Sequence, residues 1–153
     1  MARVNVGISP EYLSDQHLIA ESVEITMITG GLRKNGYRIK SPIPEKLNLG
    51  KGHINFFKNK ILYLQSRLRA VNLELDRRGI NHSTEIRCGE FPDNLIWGWE
   101  PEMRDSQILR DRIADRLKNP RKAKPGFHRF YKKPIEDVNE FSEKMLNSPL
   151  YHV

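Results

Sequence analysis

The sequence contains few of the residues from which secreted, membrane-spanning or metal-binding proteins are built. Its 153 residues include one cysteine, Cys88, so no disulfide can form within the chain. No apolar run reaches the length of a membrane span, and the N-terminus lacks the apolar core of a signal peptide. Cys88 also has no metal-ligand spacing around it. We therefore expect a cytoplasmic protein that uses neither a metal nor an organic cofactor.

Positive charge, by contrast, is in excess. The chain has 26 lysines and arginines against 19 aspartates and glutamates, which gives a formal net charge of +7. This balance favours a polyanionic partner, most simply nucleic acid, although a basic protein without such a partner has the same composition. The length is sufficient for one domain with a substantial core and too short for two.

Apolar residues at helical spacing predict an all-α fold: a compact single domain of three main helices and loops, with a short helix in a C-terminal extension. The four helices are expected over residues 14–28, 54–79, 106–117 and 134–147. The first should end before Gly30, and the second should be continuous, since its apolar residues keep steps of three and four. The intervening stretches 35–52 and 83–104 should be loops.

Two features near the N-terminus suggest chemistry. The first helix presents His17, Glu21 and Glu24 on one face, although carboxylates at this spacing are more often a solvated face than a catalytic pair. Ala2 is a small residue behind Met1, a pattern that permits removal of the methionine and leaves a free α-amine. With a pKa near ~7.7–8.0, about a quarter of that amine is neutral at pH ~7.4. A neutral amine can form an imine with an aldehyde-like carbon.

A basic aromatic segment follows the third helix. Residues 121–133 interleave lysines and arginines with aromatic rings, a composition that binds phosphates and stacks bases. The alternative is a basic loop whose aromatic side chains pack inward. Trp97 and Trp99, which precede the third helix, are expected to pack over helix ends rather than to stack bases.

Several short motifs follow one another along the chain, and their order and spacing carry more information than any one of them alone. They are Met1-Ala2-Arg3-Val4-Asn5, Asp15-Gln16-His17-Leu18, Ala20-Glu21 with Glu24, Gly30-Gly31-Leu32-Arg33-Lys34, Leu49-Gly50-Lys51-Gly52-His53 with Phe56-Phe57, Arg77-Arg78-Gly79, Ile113-Ala114-Asp115-Arg116 and the basic segment Phe127–Lys133. Together they resemble the pyrimidine-dimer DNA glycosylases of the phage endonuclease V type. The resemblance spans roughly residues 1–133, which we interpret as a glycosylase domain, with residues 134–153 as an extension packed on it or trailing from it.

The resemblance implies a monomeric, cofactor-free DNA glycosylase with abasic-site lyase activity, which acts on double-stranded DNA in a bacterial or virus-infected cell. The α-amine of Ala2 would attack C1′ of the deoxyribose. Glu24 would stabilise positive charge on the sugar and move protons. Together with the basic segment, the resemblance assigns DNA contacts to Arg3, Gln16, His17, Arg33, Lys34, Arg112, Arg129, Lys132 and Lys133.

Two departures from the family pattern concern the substrate. The dimer-cutting relatives have arginines one residue before the catalytic glutamate and three residues after it, where this chain has Val23 and Met27. Three functions therefore stay open: a pyrimidine-dimer glycosylase, a glycosylase for another modified base, and a catalytically silent DNA-binding protein on the same scaffold. An RNA-binding module is disfavoured because no RNA-recognition motif is present.

Overall fold

The computed structural model describes residues 3–119 and 127–153 and confirms a mostly helical fold. Its helices are α1 (Asp15–Lys34), α2 (Gly52–Phe56), α3 (Ile61–Arg77), α4 (Met103–Lys118) and α5 (Val138–Leu146), and its strands are β1 (Arg129–Phe130) and β2 (Lys133–Pro134). The two strands form an antiparallel hairpin that the sequence did not predict. Within the described ranges, no helix is long and apolar enough to cross a membrane.

Helix α1 begins as predicted but does not stop before Gly30. The hydroxyl of Ser14 accepts a hydrogen bond from the backbone N–H of His17, which makes Ser14 the N-cap. The helix continues to Lys34 because Leu32, in its last turn, is buried in the core. Burial of this side chain outweighs the cost of about 1 kcal/mol that a glycine imposes on a helix interior. The chain leaves the helix through Gly36, which has a φ of +66°.

The predicted continuous second helix is broken into α2 and α3. Residues 57–60 turn the chain between them, and the ammonium of Lys60 donates to the carbonyl of Phe56 at 2.8 Å. The turn lets Phe56 and Phe57 both enter the core, where their rings meet Trp99. The apolar spacing could not reveal this break, because steps of three and four continue across it. The end of α3 near Gly79, with a φ of +67°, is as predicted.

Helix α4 begins three residues before the predicted start at Ser106. A capping box fixes its first turn, in which the Asp105 carboxylate accepts from the N–H of Glu102 at 2.9 Å. Ser106 is instead fully buried. Helix α5 confirms the expected short C-terminal helix, and it packs against α4. Of the two tryptophans, Trp99 packs on core rings as predicted, whereas Trp97 is 61% exposed.

The N-terminal segment, defined here as residues 3–8, passes through the interior rather than over the surface. Val4, Val6 and Ile8 are fully buried, and Asn5 between them is nearly so. Helices α1 and α3 pack against each other beneath it. The fold therefore places the beginning of the chain beside the middle of α1.

Candidate functional site

Glu24 lies on α1 and has the properties of a reactive carboxyl group. The residue is only 4% exposed, and no described residue is a hydrogen-bond partner of its Oε1 atom. Burial raises the pKa of Glu24, while the cations of Arg3 and Arg112 act in the opposite direction. A buried carboxyl group between cations, with one oxygen unused by the fold, is a candidate for proton transfer or charge stabilisation.

Glu21, one turn earlier on the same face, is occupied by the fold. Its two oxygens accept from Arg67 at 2.7 and 3.0 Å, and both groups are fully buried. They also accept from the backbone and side-chain N–H groups of Asn5 at 3.1 and 3.0 Å. This carboxylate therefore anchors the N-terminal segment to α1 and α3, and it has no oxygen left for a substrate.

His53 holds the N-terminal segment from the opposite side. Its Nε2 atom accepts from the backbone N–H of Val4 at 3.0 Å, and its Nδ1 atom lies 3.0 Å from the carbonyl of Asn48. Burial lowers the pKa of His53 to about 4, so the ring is neutral, with its proton on Nδ1 and its lone pair on Nε2. Arg3 donates twice to the carbonyl of Leu49, at 3.2 and 2.8 Å.

Sequence reasoning placed His53 in a family motif and assigned it no role. The structure shows that it fixes the backbone two residues after Ala2. Ala2 itself lies outside the described residues, as do residues 121–126 of the basic segment. The contacts of Arg3 and Val4 fix the described backbone that directly follows Ala2 in the sequence.

Cations and rings gather around His17, which lies two helical turns before Glu24 on α1. His17 stacks on His128 with ring centroids 5.0 Å apart. Burial, together with the charges of His128, Arg112 and Arg116, lowers the pKa of His17 to about 3, so this ring is neutral and the cations of Arg112 and Arg116 act on it. Sequence reasoning missed Arg116 and His128 as site residues, although Arg116 follows Arg112 by one helical turn.

The hairpin is held against α1 by side chains of the Asp15-Gln16 motif. The Oε1 atom of Gln16 accepts from the N–H of Arg129 at 2.7 Å, which brings Arg129 close to His17. The Asp15 carboxylate accepts from the N–H groups of Tyr131 and Lys132 at 3.1 and 2.7 Å. Those two residues have positive φ angles of 51° and 68°, a conformation that costs a non-glycine residue about 1–2 kcal/mol. The carboxylate offsets this cost.

The remaining residues predicted to bind DNA are more dispersed. The ammonium of Lys132 lies over Gly79 at the end of α3, and Lys133 lines a cavity on the side of α5. Arg33 and Lys34 are at the far end of α1, about 14 Å along the helix from Glu24 at 1.5 Å per residue. Arg33 forms an ion pair with Glu90, so its charge is already neutralised there. The structure thus brings together five of the predicted residues: Arg3, Gln16, His17, Arg112 and Arg129. The other four, Arg33, Lys34, Lys132 and Lys133, lie elsewhere on the surface.

Between the two ends of α1, the exposed surface is uncharged. Val23 is 48% exposed and Met27 is 60% exposed, and both flank Glu24 in sequence. A side chain added at Gly30 or Gly31 would meet nothing within 4 Å. A smooth apolar strip therefore lies beside the candidate carboxyl group.

One comparison with known proteins bears on this arrangement. A family model described as pyrimidine dimer DNA glycosylase matches residues 1–87, more than half of the chain. The matched part contains the N-terminal segment, Glu24, Glu21 and His53, which together form the buried centre of the site. Arg112 and the hairpin lie beyond it.

Proposed function

Because this chain belongs to the pyrimidine dimer DNA glycosylase family, we propose that it excises a damaged base from double-stranded DNA and then cleaves the abasic site through an imine. In the first step the amine of Ala2 bonds to C1′ as the bond from C1′ to the base breaks, and the base leaves with a proton that the amine gives up. The bond from C1′ to O4′ then breaks and O4′ takes up a proton, which opens the sugar and leaves a protonated imine between C1′ and the amine. In the second step a proton leaves C2′ and the bond from C3′ to its oxygen breaks, which cuts the strand. Water then hydrolyses the imine and restores the amine.

The observation that carries this proposal is the state of Glu24. A buried carboxyl group with a raised pKa and an unused Oε1 atom is a good proton acceptor for the attacking amine and for C2′. As a carboxylate, it also stabilises positive charge that develops on the sugar. The adjacent cations of Arg3 and Arg112 suit the phosphates on either side of the reacting nucleotide.

The apolar strip favours a substrate within this class other than the pyrimidine dimer. Val23 and Met27 can contact a base or a sugar edge, but they cannot bind the phosphates of a kinked backbone. A modified base other than a dimer is therefore the second candidate substrate. The catalytic chemistry proposed at Glu24 is the same for both.

Borohydride reduction in the presence of duplex DNA with one abasic site tests the function. A covalent adduct, located by peptide mass spectrometry at the α-amine of Ala2, is the expected result, and intact-mass measurement should show that Met1 is absent. Insertion of one residue after Met1 should abolish trapping while the fold is kept. If the protein binds the duplex but forms no adduct, it is a silent DNA-binding protein and the proposal fails.

A further inference from the structure

The C-terminal extension, residues 134–153, holds one end of the N-terminal segment. The carbonyl oxygen of Gly7 accepts from the backbone N–H of Tyr151 at 3.0 Å and from Nη2 of Arg110 at 2.9 Å. Gly7 has a φ of +71°, and a Cβ atom there would lie 2.6 Å from Ser106 and 2.7 Å from Leu150. The extension therefore closes a socket around Gly7 that no larger residue fits.

Arg110 connects this socket to the end of α5. Its side chain is fully buried, and its other hydrogen bonds go to the carbonyls of Met145, Leu146, Ser148 and Pro149 at 2.7–3.3 Å and to the hydroxyl of Ser106. These described partners are all neutral oxygens. Two of them belong to the C-terminal end of α5, where the helix dipole is negative and stabilises a cation. Removal of the extension would take away the four carbonyl acceptors that it provides to the buried guanidinium of Arg110. The extension in turn would lose the cation that holds the end of α5.

A second buried arginine, Arg67, binds Ile8, the residue after Gly7 in the N-terminal segment. Arg67 donates from Nη1 to the carbonyl of Ile8 at 2.6 Å and also pairs with Glu21, which binds Asn5. Consecutive carbonyl oxygens, those of Gly7 and Ile8, are thus held by arginines from α4 and α3. Further along the same backbone, His53 binds Val4 and the carbonyl of Leu49 binds Arg3, the residue after Ala2.

We propose that the C-terminal extension is a working part of the catalytic site, in which Arg110 and the Leu150-Tyr151 pair position the N-terminal segment for reaction beside Glu24. This inference rests on the proposed function, in which the α-amine is the nucleophile. Arg110 is a positioning residue that acts through Gly7. Since a misplacement of about 1 Å can cost about 100-fold in rate, loosening Gly7 should slow imine formation. It should not weaken DNA binding, because the cations around Glu24 are unchanged.

Two truncated proteins form a matched test. One ends at Pro149 and loses the Leu150 and Tyr151 contacts. The carbonyls of Met145, Leu146 and Ser148 that Arg110 binds are kept, and the oxygen of Pro149 becomes part of the terminal carboxylate. The control ends at Tyr151 and lacks only the last two residues. In single-turnover borohydride trapping on abasic duplex DNA, the protein ending at Pro149 should react about 10- to 100-fold more slowly. Its final yield and its Kd for the duplex should match those of the full chain, as should every property of the control.

Hydrogen–deuterium exchange gives a second readout that does not depend on activity. The amides of residues 4–8 should exchange faster in the protein ending at Pro149 and not in the control. An unchanged trapping rate, or a lower yield at an unchanged rate, overturns the inference, because the extension would then only stabilise the fold. If the full chain forms no adduct, the proposed function fails. Unchanged exchange of residues 4–8 in the shorter protein would independently refute the positioning role of the extension.

Arg110→Lys is the variant to use if the shorter protein does not fold. It keeps the buried cation but loses the forked geometry that reaches Gly7 and the extension together. The trapping rate should then fall about tenfold or more with an unchanged Kd. A rate equal to that of the full chain would overturn the inference.

Discussion

Replacing His53 by phenylalanine would show how strongly catalysis depends on the hold on the N-terminal segment. The new ring fills nearly the same space and keeps the edge-to-face contact with Phe57, whose centroid is 5.2 Å away. It removes the acceptor for the Val4 N–H and the donor to the Asn48 carbonyl. The variant therefore changes polar contacts while leaving the packing volume almost constant.

The cost can be worked from these contacts. An unpaired buried N–H group costs about 1–3 kcal/mol, and the carbonyl of Asn48 adds less because it is only partly buried. We expect His53→Phe to lower the free energy of unfolding by about 2–4 kcal/mol at neutral pH. A domain with a stability of about 5–15 kcal/mol would still fold. The released segment should slow borohydride trapping about 10- to 100-fold.

The difference in unfolding free energy between the native protein and His53→Phe should depend on pH, in a direction that follows from the pKa of His53. His53 has a pKa of about 4 in the folded protein, below the ordinary 6.5. Between these values the unfolded chain binds the proton more readily, so the stability contributed by neutral His53 is full above pH 6.5 and is lost as the pH falls towards 4. The loss is about 1.4 kcal/mol per pH unit within that window. His17 titrates in both proteins and cancels from the comparison.

Urea denaturation at neutral pH and at acidic values inside this window measures the effect. The gap in stability between the native protein and His53→Phe should narrow as the pH falls. His82→Phe is the matched control, because His82 binds only the exposed Asp76 among the described hydrogen bonds. A gap that is independent of pH, or a variant that forms adducts at the native rate, would refute the role given to His53.

Three further predictions concern the reaction and the DNA. Glu24→Gln should lose base excision and keep its affinity for DNA, since removal of a negative charge cannot weaken phosphate binding; normal turnover in a single-turnover excision assay would contradict the assignment. Affinity should fall log-linearly with salt concentration, and Arg112→Gln should flatten the slope by about one unit. Arg33→Gln should flatten it less, because Glu90 already neutralises Arg33, and equal slopes for both variants would argue against this map of contacts. Val23→Arg with Met27→Arg should improve cleavage of ultraviolet-irradiated duplex relative to abasic duplex, since two charge-assisted contacts at about 1.5–3 kcal/mol each amount to two to four orders of magnitude. No gain from the pair would mean that these positions do not set specificity.

Sequence patterns were sufficient wherever local signals decide the structure. The start of α1 follows from Ser14, and the end of α3 follows from Gly79. The hairpin could not be predicted, because Tyr131 and Lys132 are unusual in a turn with positive φ and depend on Asp15, more than 100 residues earlier in the chain. The break between α2 and α3 was equally hidden, since it preserves the apolar spacing.

The residue types of the candidate site were predictable from the sequence, but only the family resemblance, and not the helical spacing, distinguished Glu24 from Glu21. Glu21 and Glu24 share a helix face and a charge, so spacing alone cannot separate an anchor from a catalytic group. Their tertiary partners separate them: Arg67 and Asn5 use both oxygens of Glu21, whereas Oε1 of Glu24 has no hydrogen-bond partner among the described residues. A buried carboxyl group without full partners lowers stability, and such a cost is typical of a site kept for chemistry rather than for folding. In the proposed function Glu24 therefore takes part in the reaction, whereas Glu21 belongs to the frame that holds residues 3–8 against α1 and α3.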